Sequence, residues 1–599
     1  MQRPFPALIP RLAFALLATN LGLYLAGMFG GFDFTDEGFY YLSFAHPENV
    51  SDSQSAFYLF GAKLFRLMGS NIIVMRFCTL LAILGGTLLF LRGTRQLAQR
   101  FAPGFWSEQE ARQLTRNSVL TGSCLAYAIS PVALSYNFQN AFCLLAAAGF
   151  LLGACAQPRG ERCFDRPTLL ALGGFGALVG LEFFIKFSSS VLLAAFGTSF
   201  FFLVSEKKLR QKFALVGLLL ACTAAAALAY FIFFQSFPRW WAGLQGTLGA
   251  ILEGGYATKE INRYAREITA LYAATWLNFT PVWVVAIPSI IVVAALRAWP
   301  RLQAWLAAFS SLLIFVHLLW LVGRMDYYFQ PGPAFFLGSL VLLAVLTIAS
   351  RFFVLEAGRN CPPGRWRIFL AAGLFIALPY IGAFGTNNDI HRNCLYQLAP
   401  WFVIAALLTA ELGRIWRTPW PSRLTALLLA SVATSQFYHG YSVAPYRVAG
   451  GRSQQTVPTL VGEPATPLRL DPGTHAFITI ARRSLHENGF KPGGDLLVLF
   501  DLPGFVFAMG GVSPGHPWYF YGDPHSLALD LMRLNFIEPG RRKRAFIVRN
   551  GFLDDSLLLL RQAGLNFPHG YERITPPMTS PFTGLPFEIW RPKPVALAK

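Results

Sequence analysis

Long apolar runs separated by short polar stretches fill the chain as far as residue 440. The runs fall at about 9–29, 71–91, 118–134, 138–156, 168–185, 188–204, 213–234, 276–296, 303–322, 333–350, 368–385, 398–413 and 423–440. Each reaches the roughly 17 to 25 residues that a helix needs to cross a bilayer. They are continuous rather than alternating, which excludes a β-barrel and leaves helices as the spanning solution. The pattern predicts a polytopic α-helical membrane protein of about thirteen transmembrane helices. The pair flanking Lys186 also fits a single broken span.

After residue 441 the pattern changes to Pro, Gly and charge. A linker carrying Pro445, Gly450, Gly451, Pro458, Pro464 and Pro467 leads into a soluble part. There Asp495–Phe500 and Ala545–Val548 read as buried strands, and 553–564, opened by Asp554 and Asp555 and closed by Gly564, reads as a helix. The expected domains are a transmembrane part, 1–441, with a first outside loop at 31–70, and an α/β domain at 442–599.

Composition agrees: 54% of the 599 residues are hydrophobic and only 13% charged. The net charge of +20 raises nucleic acid as a partner, but its placement excludes that reading. Lys and Arg crowd alternate short loops, as in Arg92, Arg95 and Arg100, Lys207, Lys208 and Arg210, and Arg414 and Arg417, which is the positive-inside signature. It predicts a multi-pass plasma (bacterial inner) membrane protein with a cytoplasmic N-terminus, an uncleaved anchor after Arg3 and Arg11, and the 442–599 domain outside the cytoplasm, on the periplasmic side in a bacterium. None of the eight cysteines follows residue 440, so that domain needs no disulfide.

Candidate chemistry concentrates in Gly30–Tyr41, which follows the first apolar run and holds Asp33, Asp36 and Glu37. Thr35 is placed to cap a helix whose first turn carries two acids. Ser55–Met68 follows as an aromatic amphipathic helix suited to the membrane surface. Glu182 and Lys186, one helical turn apart, are expected to form an intramembrane ion pair. Asp501-Leu502-Pro503-Gly504 after a strand is either an ordinary turn or an acceptor-binding loop, and the basic run Arg541–Arg544 either a solvated loop or a phosphate-attracting one.

A first span, an acidic pair in the first outside loop, a juxtamembrane basic helix and a terminal extracytoplasmic domain resemble the GT-C superfamily of integral-membrane glycosyltransferases. The closest likeness is to the branch of protein O-mannosyltransferases and the lipid A aminoarabinose transferase. The resemblance implies transfer of a sugar from a polyprenyl-phosphate donor to a hydroxyl of a glycolipid, glycan or protein acceptor, at the lipid bilayer, with inversion. A lipid phosphate needs only cations as it leaves, while the acceptor hydroxyl needs a base. On this reading Asp36 is the base and Glu37 orients it or the acceptor. Lys63, Arg324, His391 and Arg392 hold the donor phosphate, and Tyr40, Tyr256, Asp326 and Tyr327 line the acceptor cavity, with Asp33 there or a solvated bystander. No metal ligand set of the zinc type occurs and no cofactor is required, although a divalent cation would find oxygen ligands among Asp33, Asp36 and Glu37. A lipid-linked oligosaccharide ligase or polymerase needs the same ingredients, and a transporter or flippase of lipid-linked sugars is the other alternative.

Overall fold

The computed structural model describes residues 8–50, 55–105, 108–158, 165–253, 256–295, 331–354, 366–386, 388–416, 418–519, 524–551 and 553–594. Helix α1 (Leu8–Gly27) leads into the acidic stretch, which opens α2 (Asp36–Ala45); a short 3-10 turn, Pro47–Asn49, precedes α3 (Phe57–Leu67). The bundle continues with α4 (Ile72–Phe101), α5 (Gln109–Ser123), α6 (Tyr136–Cys155), α7 (Arg166–Ile185), α8 (Phe187–Val204) and α9 (Leu209–Phe233). Then come α10 (Phe237–Glu253), α11 (Tyr256–Ala295), α12 (Pro331–Val354), α13 (Trp366–Ala383), α14 (Ile390–Cys394), α15 (Ala399–Trp416) and α16 (Trp420–Tyr438).

Among the described residues eight helices are long and apolar enough to cross a membrane: α1, α4, α6, α7, α8, α9, α13 and α15. The protein is thus a multi-pass helical membrane protein, and the run expected at 303–322 lies outside the described residues. Helix α6 is the buried centre of the bundle and packs on α4 and α7. Small residues permit it: a Cβ on Gly93 would stand 2.0 Å from the Gly149 carbonyl oxygen, so the α4 and α6 backbones touch. Helix α9 instead exposes Leu220, Leu228, Ile232 and Phe233, a face suited to lipid.

Several expectations are corrected. The run at 118–134 is not one helix: α5 ends at Ser123 and a 3-10 turn covers Cys124–Ala128. Pro131, which lacks an amide, helps to leave the following segment irregular. The stretch 235–275 is not a loop but α10 and the first half of α11. Lys186 separates two helices, and Ser190 Oγ, donating to the Val179 carbonyl at 2.8 Å, shows α8 folding back along α7. That break also keeps Glu182 and Lys186 from direct contact, although each stands within electrostatic reach of the other. The Lys186 ammonium donates to the Gly382 carbonyl at 2.5 Å, and neither Glu182 oxygen has a hydrogen-bond partner among the described residues. An i,i+4 pair needs a continuous helix, and Lys186 has left it, with φ −149° and ψ 89°.

Part of the expected linker is a hairpin, β1 (Val457–Val461) and β2 (Thr466–Leu470). It is followed by α17 (Pro472–Glu487), β3 (Leu496–Leu499), α18 (Pro503–Ala508), α19 (Pro524–Asn535), α20 (Pro539–Arg544), β4 (Phe546–Asn550) and α21 (Leu553–Gln562). Strands β5 (Tyr571–Arg573), β6 (Met578–Thr579) and β7 (Pro586–Pro592) complete a mixed sheet of order β3-β4-β7-β5, with β6 also on β7. The two strands and the helix read from the sequence are β3, β4 and α21.

The sheet part is fused to the bundle at the acidic stretch. Backbone amides of Gly31 and Arg469 donate to the carbonyls of Arg469 and Phe29, at 2.8 and 2.9 Å. Phe34 stacks on Phe582 with centroids 4.2 Å apart, and Tyr41 on Phe507 at 5.7 Å. At the closest point α2 meets α18: a Cβ on Gly38 would lie 2.1 Å from Gly504 Cα, and one on Gly504 2.6 Å from Phe34 Cα. Gly38→Ala and Gly504→Ala are therefore expected to destabilise the protein by about 1–3 kcal/mol each. The control Gly85→Ala, with nothing within 4 Å of its Cβ, is expected to be neutral; thermal unfolding in detergent with protease sensitivity at 442–456 reads the difference.

Candidate active site

The first turn of α2 sends its three carboxylates to three different surroundings. Asp33, not Thr35, caps the helix: Oδ1 accepts the Thr35 amide at 2.8 Å and the Thr35 hydroxyl at 2.6 Å, and Oδ2 accepts the Glu37 amide at 3.1 Å. Thr35 itself makes no side-chain cap. Asp33 is also not solvated, being 1% exposed. Burial, followed by the Asp36 charge, pushes its carboxyl up to about 7.

Glu37 is equally buried and points into the bundle. Its Oε1 and Oε2 accept Arg76 Nε at 2.9 Å and Nη2 at 3.0 Å, a bidentate pair, and Oε2 also accepts the Asp33 amide at 3.1 Å. Arg76 has no solvent exposure and spends its other donors on the carbonyls of Met28 at 2.6 Å and Gly31 at 2.7 Å. Beside it Arg452 donates to the carbonyls of Gly27 and Gly30 and lies over the Tyr441 ring at 4.7 Å.

Asp36 faces the other way, into polar surroundings, the chamber, made up of Tyr40, Tyr136, Arg392, Tyr396, Tyr446 and Arg447. Its Oδ2 accepts the Tyr446 hydroxyl and, at 3.3 Å, Arg447 Nη1. No hydrogen bond to Oδ1 occurs among the described residues, and the side chain keeps 26% of its exposure. Arg447 and Arg392 both lie against the Tyr446 ring, at 5.1 and 5.2 Å from its centroid. Tyr40, Tyr136 and Tyr396 stand within electrostatic reach of the same carboxylate. Tyr136 opens α6, so the positive end of a 20-residue helix contributes to the wall. Burial, and after it Asp36, raises the Tyr446 phenol well above its ordinary value. It therefore stays a neutral donor to the carboxylate. Burial opposes the Arg447 charge, and Asp36, Tyr446, Asp33 and Asp501 together more than offset it.

The sheet domain borders these residues through Asp501 and Trp518. Asp501, at φ +60°, follows β3, accepts Trp518 Nε1 at 2.8 Å, and reaches Arg447 electrostatically. Phe39, three residues after Asp36, packs on Trp518 at 5.5 Å.

The residues expected from the sequence thus separate. Asp36, Tyr40 and Arg392 are brought together. Lys63 is placed elsewhere, donating to the Phe233 carbonyl at the end of α9 at 2.5 Å and lying 4.0 Å over the Phe234 ring. His391 is buried and turned to α11, with Nε2 2.9 Å from the Glu267 carbonyl oxygen. Arg324, Asp326 and Tyr327, and the side chain of Tyr256, lie outside the described residues. The three acids do not gather around one point, and among the described residues no cluster of three or more His, Cys, Asp or Glu side chains is arranged to hold a metal.

Sequence reading missed Arg76, Tyr446, Arg447 and Arg452. A signal existed for each arginine: Arg76 interrupts an apolar run, and Arg447 and Arg452 stand directly after the last apolar run.

No family model and no curated protein matches the chain. Among solved structures, it is similar to the Archaeoglobus fulgidus oligosaccharyltransferase in complex with Zn and sulfate, at 12% identity and TM-score 0.45, over 89% of this chain and 68% of that one. A second structure from that archaeon, AglB with an inhibitory peptide and a dolichol-phosphate, matches at 12% identity and TM-score 0.44, over 90% and 69% of the two chains. ArnT from Cupriavidus metallidurans, in the apo state, matches at 13% identity and TM-score 0.41, over 96% and 97%. TM-scores this low carry no argument about function.

Two outcomes follow from the acid turn. Arg76→Met strands a buried carboxylate and is expected to cost about 3–5 kcal/mol, of which the double variant with Glu37→Gln recovers most, read by thermal unfolding. Asp33 binds its proton more tightly folded than unfolded, so its contribution to stability falls as pH rises between about 4 and about 7. The stability difference between wild type and Asp33→Asn is expected to shrink across that window, by up to about 1.4 kcal/mol per pH unit, and to be flat above it.

Proposed function

We propose that the chain is an integral-membrane glycosyltransferase. It moves a sugar from a polyprenyl-phosphate donor to a hydroxyl of a glycolipid, glycan or protein acceptor on the extracytoplasmic face. The observation that carries this reading is the Asp36 carboxylate, with one oxygen held by Tyr446 and Arg447 and the other open to the chamber.

The acceptor hydroxyl gives its proton to Asp36 Oδ1 as its oxygen bonds to the anomeric carbon. The bond from that carbon to the phosphate oxygen breaks, and its electron pair leaves with the lipid phosphate. One carboxylate suffices for such a direct displacement, and the configuration inverts. Arg447 and Arg392, both against the Tyr446 ring, are the cations within the chamber and the phosphate ligands on this reading. Tyr446 fixes the rotamer of the base. Glu37, fully occupied by Arg76, acts on position rather than on the acceptor. Trp518 and Asp501 bring an aromatic face and a carboxylate to the border of the chamber, chemistry suited to an acceptor sugar.

Asp36→Asn, reconstituted with a polyprenyl-phosphate sugar and membrane extract, is expected to fold and to lose at least about 100-fold in transfer. Undiminished product would remove Asp36 from the chemistry. Arg447→Gln is expected to raise KM for the donor by about tenfold, while Tyr446→Phe lowers kcat more than it changes KM.

A further inference from the structure

The sheet domain carries an exposed apolar and basic elbow that the proposed chemistry does not use. Met532, on the last turn of α19, and Phe536, directly after it, are 39% and 68% exposed and, with Leu531 and Asn535, line an open apolar hollow. The next helix, α20, is the basic run. Arg541 is bound to Asp495 through contacts of 2.6 to 2.9 Å, and Arg542 Nη1 donates to the Leu534 carbonyl and Asn535 Oδ1, both at 3.0 Å. Those two contacts fold α20 back on the end of α19. Lys543 and Arg544 are exposed, and no acid pairs with either among the described residues. The acids near the elbow among the described residues are Asp495, Glu538 and Glu48, which all act on Arg541, and buried Asp530, which pairs with Arg533.

The location says what this surface meets. Arg541 is within electrostatic reach of Glu48, in the turn after α2, and the Glu48 carbonyl accepts Arg239 Nη2 of α10 at 3.4 Å. Around Arg239, Phe237 and Trp241 are exposed, and Trp240 packs on Phe184 and Phe231 at the ends of α7 and α9. Aromatic residues gathered at the ends of spanning helices mark the membrane–water boundary. The elbow therefore stands one Arg–Glu–Arg step from that boundary.

We propose that the α19–α20 elbow is a membrane-docking site that takes anionic phospholipid headgroups of the surrounding bilayer, with Phe536 and Met532 entering the interface and Lys543 and Arg544 meeting lipid phosphates. The chemistry is complementary on both counts: an apolar tip for the acyl boundary and unpaired cations for the headgroups. The inference needs the bilayer level but not the identity of the reaction.

The test uses the full chain in nanodiscs of phosphatidylcholine alone and of phosphatidylcholine with one quarter phosphatidylglycerol, read by hydrogen–deuterium exchange across 531–544. Exchange there is expected to be about tenfold slower in the anionic discs. Lys543→Glu with Arg544→Glu, and separately Phe536→Ser, are expected to abolish that difference while exchange in β3 and β4 stays unchanged. Equal exchange in the two lipids would overturn the proposal. So would slowing in neutral discs by inorganic phosphate, which would make the elbow a free-phosphate site, or slowing that scales with protein copies per disc, which would make it a contact between chains.

Discussion

The buried pair of Arg76 and Glu37 is the constraint on which the rest of the chamber depends. A guanidinium at the end of a spanning helix has no water to turn to, so each of its donors must find an acceptor in protein. Glu37 supplies a bidentate carboxylate, and the carbonyls of Met28, Gly30 and Gly31 supply the rest. This ties the chain leaving α1 and the first turn of α2 to one point on α4. With successive helical residues about 100° apart, fixing Glu37 inward turns Asp36 away from the bundle core and toward the chamber. Three acids within five residues thereby acquire three functions: cap, anchor and exposed carboxylate.

The same constraint explains why the sheet domain behaves as part of the site rather than as an appendage. The loop that Arg76 holds is the loop on which the domain docks, through the Gly31–Arg469 backbone bonds and the contact of Gly38 with Gly504. Residues without side chains are needed there because the α18 backbone approaches within van der Waals contact of α2. Once the domain is seated, the segment joining it to α16 has to cross the chamber, and it brings Tyr446, Arg447 and Arg452 with it. Displacing the domain would move the partners of Asp36 even though Asp36 itself lies more than 400 positions away in sequence.

Much of the helical part was legible because a spanning helix announces itself locally, by a run of apolar residues of fixed length. Strands β3 and β4 and helix α21 were legible for the same reason. The chamber was harder to read. Arg76 is averaged away inside an apolar window, although a single charge there is the more informative observation. Tyr446 and Arg447 sit in a stretch whose Pro and Gly content describes a linker correctly as backbone and says nothing of contacts made across the whole chain. Glu182 and Lys186 act on each other by charge without the direct contact expected, for a geometric reason: the spacing was right for a helix, and the helix stops at the second partner. Asp36 drew notice because it combined an unusual residue type with an unusual place, at the boundary of the first span, and the structure sets it beside Tyr446 and Arg447.

Charge balance carries the proposed reading one step further. The charged groups gathered at Tyr446 and Arg447 are Arg447 and Arg392 on one side and Asp36, Asp33 and Asp501 on the other. A lipid-linked sugar phosphate is a diester with a single negative charge, for which Arg447 and Arg392 are the cations at hand. After transfer the lipid keeps a monoester phosphate of roughly −1.5 to −2, and Asp36 has just received the acceptor's proton. Arg447 then faces one anion fewer as the product gains charge, a change that favours the product state over the substrate state in a partly desolvated site. Return of the proton from Asp36 to solvent restores the competing anion beside Arg447 and weakens that hold. On this reading the carboxylate that accepts the proton also governs release of the spent lipid, and its contact with Arg447 links the two steps.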